Sequence, residues 1–248
     1  MKAIALAVFI GFLSAPQADA QSSLANSRGF VSVNGGYRVT TSPFDQTSSR
    51  RENAEDGSVS ATYGLGKAAT LDVAGGARLW RQFGLGVGIT RLSFSSPGSV
   101  NASVPHPIFF NRPRSVNGDV AGLERQELAV HVQARGTFPI SRRADVSVYG
   151  GPSFFQVNQG LITDVSYSET YPYDTAQFAG ARTTNANATT IGFNVGSDFA
   201  YFFSRNAGIG ATIQFSRGTA DLQGGLLGAP VRISAGGPDV GAGLRLRF

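Results

Sequence analysis

His106 and His131 are the two histidines of this 248-residue chain, which contains no cysteine. These imidazoles are the side chains best suited to act as a base near neutral pH. Hydrolysis through a serine needs a histidine beside the nucleophile and an acid behind it. His131 is followed by Val132 and Gln133, so a His-x-Ser spacing is absent. Alternation puts His131 on one face with Glu127 and Arg135. His106 stands in Val104-Pro-His-Pro-Ile108, where two prolines hold an extended loop and a surface position is expected. Neither histidine is placed as a catalytic base, and no catalytic residue is expected. Thiolate chemistry is excluded by composition. Asp164, Glu169 and Asp174 lack the spacing of a calcium loop, so no metal centre is expected. Gly84-Leu-Gly-Val-Gly88 lies inside an alternating stretch and opens no helix, so it is not a phosphate cradle. No cofactor is expected.

What remains is a set of charges that recur on one face of alternating segments: Arg38, Asp72, Arg78, Glu127, His131, Arg135, Asp198, Asp239, Arg245 and Arg247. Period-two alternation predicts eight strands, at about 29–39, 70–80, 83–94, 126–138, 146–157, 190–203, 208–217 and 237–248. Their opposite face is apolar, as in Phe83, Leu85, Val87 and Ile89. A few residues join the second strand to the third, the fourth to the fifth, and the sixth to the seventh. The other connections are long. A soluble sandwich has no reason to sort its loops this way, whereas a membrane barrel does. The expected fold class is all-β: an eight-stranded antiparallel transmembrane up-and-down β-barrel with four long extracellular loops and short periplasmic turns. An eight-stranded interior is just wide enough for side chains. Of the chain's thirty-two glycines, those on that face make room there, and charges of both signs can pair. The interior is therefore expected to be plugged by ion pairs, with a narrow gated conduit as the alternative.

The first residues, MKAIALAVFIGFLSAPQADA, have a positive start, a short apolar run and a small-x-small end. Residues 1–20 are expected to be a cleaved signal peptide, 21–27 a short periplasmic segment and 28–248 the barrel. Net charge is +5 and stays so without Lys2 and Asp19. No basic block stands out, so nucleic acid is not expected as a partner.

Aromatic residues near strand ends fit interfacial girdles: Tyr37, Trp80, Phe83, Phe138, Tyr201, Phe202, Phe203 and Phe248. The long loops carry His106, Phe109, Phe110, Arg112 and Arg114, then Tyr167, Tyr171 and Tyr173. These are candidates for a recognition surface, and equally for packing on one another above the barrel.

The final segment, Val240-Gly-Ala-Gly-Leu-Arg-Leu-Arg-Phe248, resembles the C-terminal assembly signal of outer-membrane barrels, with Leu244, Leu246 and Phe248 on one face. Together with the leader, the eight strands and the loop asymmetry, it resembles the small OmpA-like, OmpW-like and opacity-type outer membrane β-barrel domain family. The resemblance is architectural and covers about residues 28–248. It implies a bacterial outer-membrane location, handling by the barrel-assembly machinery and a monomer among outer-membrane lipids. Lipopolysaccharide is an expected partner, with Arg112, Arg114 and Arg125 as candidate phosphate contacts. No periplasmic domain is expected beyond Phe248. The function classes it leaves are a structural or surface-interaction protein, a narrow channel or small hydrophobic-solute facilitator, and a lipid-modifying enzyme.

Overall fold

The computed structural model describes residues 28–40, 43–64 and 67–248. The expected signal peptide and the segment 21–27 lie outside the described residues. Ten strands follow one another: β1 (Gly29–Arg38), β2 (Phe44–Glu52), β3 (Glu55–Tyr63), β4 (Ala68–Trp80), β5 (Phe83–Val104), β6 (Arg114–Pro139), β7 (Ala144–Glu169), β8 (Ala176–Phe202), β9 (Ala207–Leu222) and β10 (Val231–Arg247). Every pairing is antiparallel. Eight of the ten close a ring in the order β5-β4-β1-β10-β9-β8-β7-β6, and β6 pairs back onto β5. Closure removes the edges that an open sheet would expose to lipid. β1 joins the chain's two ends, pairing with β10 from Phe30↔Arg247 to Arg38↔Asp239.

The long connections differ from the expected loops. β2 and β3 form a hairpin, and β3 pairs with the distal part of β5 from Ser58↔Ser103 to Tyr63↔Gly98. The β5–β6 ladder continues to Val104↔Arg114 and the β7–β8 ladder to Glu169↔Ala176. The β6–β7 ladder ends at Arg125↔Gln159 and the β8–β9 ladder at Gly192↔Gly218. Above those levels the ring becomes separate hairpins leaning on each other.

The outer and inner faces exchange polarity where the ring opens. On β5 the outward residues run Phe83, Leu85, Val87, Ile89 and then Arg91, Ser93, Ser95. The inward residues run Gly84, Gly86, Gly88, Thr90 and then Leu92, Val100, Ala102. β7 does the same, with Phe154 then Gln156 outside and Ser153 then Phe155 and Val157 inside. Lipid favours an apolar exterior, and water above it favours an apolar interior. The crossover therefore marks the outer membrane boundary. Above it, Tyr63, Leu123, Phe155, Leu161, Ile162, Leu222, Val231 and Ile233 form a buried apolar core. On the periplasmic side the strands are joined by short turns at Arg81-Gln82, Ser141–Arg143 and Ser204–Asn206.

Candidate functional site

Below the apolar core the lumen is filled in three levels. The outermost is built on Arg38, which is 1% exposed. Its guanidinium donates to both oxygens of Asp239, at 2.9 and 3.0 Å, and to Glu127 at 2.5 Å. Glu127 also accepts from Arg125 at 2.8 Å and from the Gly236 amide at 3.1 Å. Arg125 in turn donates to the Ser234 carbonyl at 2.5 Å. Buried charges persist when paired and hydrogen-bonded in this way.

The middle level is neutral but for Asp72, which accepts from Asn34 and Thr90, both at 2.9 Å. His131 lies at its centre, within 2.7 Å of Ser153 Oγ and 3.1 Å of Thr90 Oγ1. The Gln214 amide nitrogen is 3.3 Å from His131 Nε2. Ser153 accepts from Asn194 at 2.9 Å. His131 and Ser153 are both 0% exposed, so no substrate reaches them. This level also depends on Gly196. A Cβ at Gly196 would come within 2.6 Å of the Tyr149 ring, whose hydroxyl bonds Thr212 at 2.8 Å.

The innermost level faces the periplasm. Arg245 donates to Asp198 at 3.0 Å and to Asn34 at 2.6 Å, and Arg135 shares Asp198 at 3.1 Å. Arg247 pairs with Asp145 at 3.2 Å and stacks 3.8 Å from the Phe202 ring. Arg78 points to the same end but makes no ion pair among the described residues.

At the other extreme, three hairpin tips lock into one apical platform. Arg114 pairs with Glu169 at 2.5 Å and donates to the Tyr173 carbonyl at 3.0 Å, tying β6 to the β7–β8 tip. The Asn111 amide donates to Glu55 at 2.7 Å, and Tyr167 donates to Glu52 at 2.7 Å, tying both tips to the β2–β3 hairpin. Burial and the adjacent Glu52 carboxylate push the Tyr167 hydroxyl up to about 12, so it stays a neutral donor. His106 Nδ1 accepts from the Ile108 and Phe109 amides, both at 3.1 Å, and so shapes the β5–β6 tip. That turn holds Phe109 and Phe110 in water, 50% and 68% exposed, with Arg112 stacked 5.2 Å from the Phe109 ring. Tyr171 is exposed and packs edge-on against Tyr173 at 5.9 Å.

These placements revise several sequence expectations. Arg38, Asp72, Glu127, His131, Arg135, Asp198, Arg245 and Arg247 meet inside the barrel. Arg125 joins them there and cannot contact lipopolysaccharide, because the inward register continues past Glu127. His106 and Arg114 are buried structural parts of the platform, not surface recognition groups, because backbone amides and Glu169 hold them inward. Phe109, Phe110, Arg112 and Tyr171 remain accessible. Trp80, Phe83, Tyr201 and Phe248 are exposed on the outer face at the periplasmic end, as is Phe203, whereas Tyr37 lies outside at the opposite end. Phe202 points inward, since neighbouring strand residues cannot share a face. Sequence reasoning placed Asn194 and Gln214 on the inward face but missed Asp145, Tyr149 and Ser153 in the lumen, though alternation along their strand would reach each.

No family model matches this chain, and no curated protein matches it in sequence. Solved structures resemble it in outline. Neisserial surface protein A is 13% identical, with 89% of this chain and 97% of that one covered and a TM-score of 0.46. OprG, an outer membrane protein of Pseudomonas aeruginosa, is 9% identical, with coverage of 90% and 96% and a TM-score of 0.44. The outer membrane protease OmpT of Escherichia coli is 8% identical, with coverage of 88% and 97% and a TM-score of 0.47. A surface protein and a protease among them select no activity for this chain. Its own geometry is decisive for architecture: a closed ring, an apolar belt outside and paired charges within make it a small eight-stranded β-barrel of the bacterial outer membrane.

Proposed function

We propose that this barrel is non-enzymatic, closed to solutes, and serves to hold an apical recognition platform outside the cell. The observation that carries this reading is the continuous filling of the lumen. An apolar core, paired charges, a hydrogen-bonded layer with the single carboxylate of Asp72 and a second charged layer succeed one another along the axis. Such packing supports a rigid pedestal. The buried His131–Ser153 pair supports no hydrolytic role.

Pure protein reconstituted in planar bilayers is expected to give no reproducible single-channel steps. Regular steps would overturn the closed barrel and favour the narrow-conduit reading.

The surface role rests on exposed Phe109, Phe110 and Tyr171 being held by the His106 turn and the part-buried Arg114–Glu169 pair instead of waving on a free loop. Rigid aromatic side chains bind at low conformational cost. Cells displaying the protein are expected to adhere to protein-coated surfaces more than cells lacking it. The double change Phe109→Ser, Phe110→Ser should remove that gain with surface abundance unchanged. Equal adhesion with and without the protein would sink the recognition role. Outer-membrane lipid, lipopolysaccharide included, is the proposed lateral neighbour, with Arg112 the accessible arginine of the tip. Export through a cleaved leader, assembly by the barrel machinery and a monomeric state complete this reading.

A further inference from the structure

The periplasmic mouth of the lumen has a charge balance unlike the levels above it. A cavity of about 80 Å³ opens there, lined by Arg28, Arg78, Arg135, Arg245 and Arg247, with Asp145 and Asp198 as its acids. Five guanidiniums against two carboxylates leave an excess of three positive charges. The acids are already engaged. Asp198 serves Arg135 and Arg245, and Asp145 serves Arg247. Arg28 and Arg78 make no ion pair within 4.0 Å among the described residues, although the Asp145 charge reaches Arg78, and they are held side by side, since the Arg78 amide donates to the Arg28 carbonyl at 2.7 Å. The turns around the mouth add Arg81, Arg143 and Arg205 and no acid. A concave site with low-dielectric walls and one sign of charge focuses the field and concentrates counter-ions.

We propose that this vestibule binds a phosphate group from the periplasm, with Arg28 and Arg78 as its principal donors. Guanidiniums present forked N–H pairs that match the oxygens of a tetrahedral oxyanion. The cavity takes a free oxyanion or a small phosphate ester. Arg135 and Arg245 hold the floor and neutralise Asp198, which lines it with them. The ring of strands walls the cavity off from the bilayer, so the source is a soluble phosphate and not a lipid headgroup.

The test is isothermal titration of the protein in a phosphate-free maltoside micelle, in 0.15 M sodium chloride to screen the loose surface field (Debye length about 8 Å). Inorganic phosphate is one titrant and short-chain phosphatidylglycerol the other. Saturable one-to-one binding of inorganic phosphate is expected. Arg78→Gln and Arg28→Gln should each raise Kd about tenfold or more, the loss of one charge-assisted pair. Arg232→Gln, which removes an exposed pair with Asp221, should leave Kd unchanged. Neither Arg28 nor Arg78 makes a buried pair, so both variants should keep the heat-modifiable mobility of the folded barrel. Three outcomes overturn the proposal: no saturation with phosphate, the same Kd in both mouth variants as in wild type, or saturation with the lipid alone.

Discussion

Arg38→Met is expected to be the most destabilising single change in the lumen, at about 3–5 kcal/mol in a reversible denaturant titration in micelles. Arg38 is the cation between two carboxylates from different strands, Asp239 on β10 and Glu127 on β6. A methionine fills much of the same volume, so packing loss is small and the cost is electrostatic. Glu127 keeps Arg125 and the Gly236 amide. Asp239 keeps no ion-pair partner, and a buried uncompensated carboxylate costs several kcal/mol. The double change Arg38→Met, Asp239→Asn should therefore recover part of the loss, because it removes the orphaned charge with its partner. A loss of under 1 kcal/mol in the single variant, or no recovery in the double, would show that water reaches this level and that the lumen is not plugged there.

The eight ring strands were legible because an apolar stripe of period two faced lipid, as in Leu244, Leu246 and Phe248. The inward set was legible because charges such as Asp198 and Arg245 sat opposite that stripe. The distal halves of the strands were not legible as strands. There the polar residues face out and the apolar ones face in, and turn-forming residues interrupt the pattern. Ser95-Ser96-Pro97-Gly98-Ser99 reads as a loop, yet it is mid-strand in β5, with a register irregularity between Ser96 and Gly98 that accommodates the proline. Arg125 was misassigned for the same reason: it lies just past the point where a lipid-facing pattern ends, while its inward register runs on. His106 and Arg114 could not be placed from sequence at all. Their partners come from Glu169, Tyr173 and the tip's own amides, contacts that no local spacing encodes.

The lipid belt makes a second large and opposite demand, which Val132→Arg should expose. Val132 is outward on β6 and pairs with Val87 on β5, midway between the polarity crossover and the periplasmic aromatic residues. An arginine at that depth on a barrel's lipid face costs about 2–4 kcal/mol, falling to about 0–1 near the interface. Arg91 supplies the internal control. It lies on the same outer face of β5, just past Ile89, where headgroups and water begin. Arg91→Val should change stability by less than about 1 kcal/mol. In a vesicle-based unfolding titration the first variant should therefore lose most of the stability margin and the second should be close to wild type. Similar losses in both would mean that the crossover is not the membrane boundary. A larger loss for Arg91→Val would place the apolar belt of β5 against protein instead of lipid. The expected contrast needs both residues on one exterior surface with a steep change of solvent between them, and in this barrel that change falls within two residues of β5, from Ile89 to Arg91.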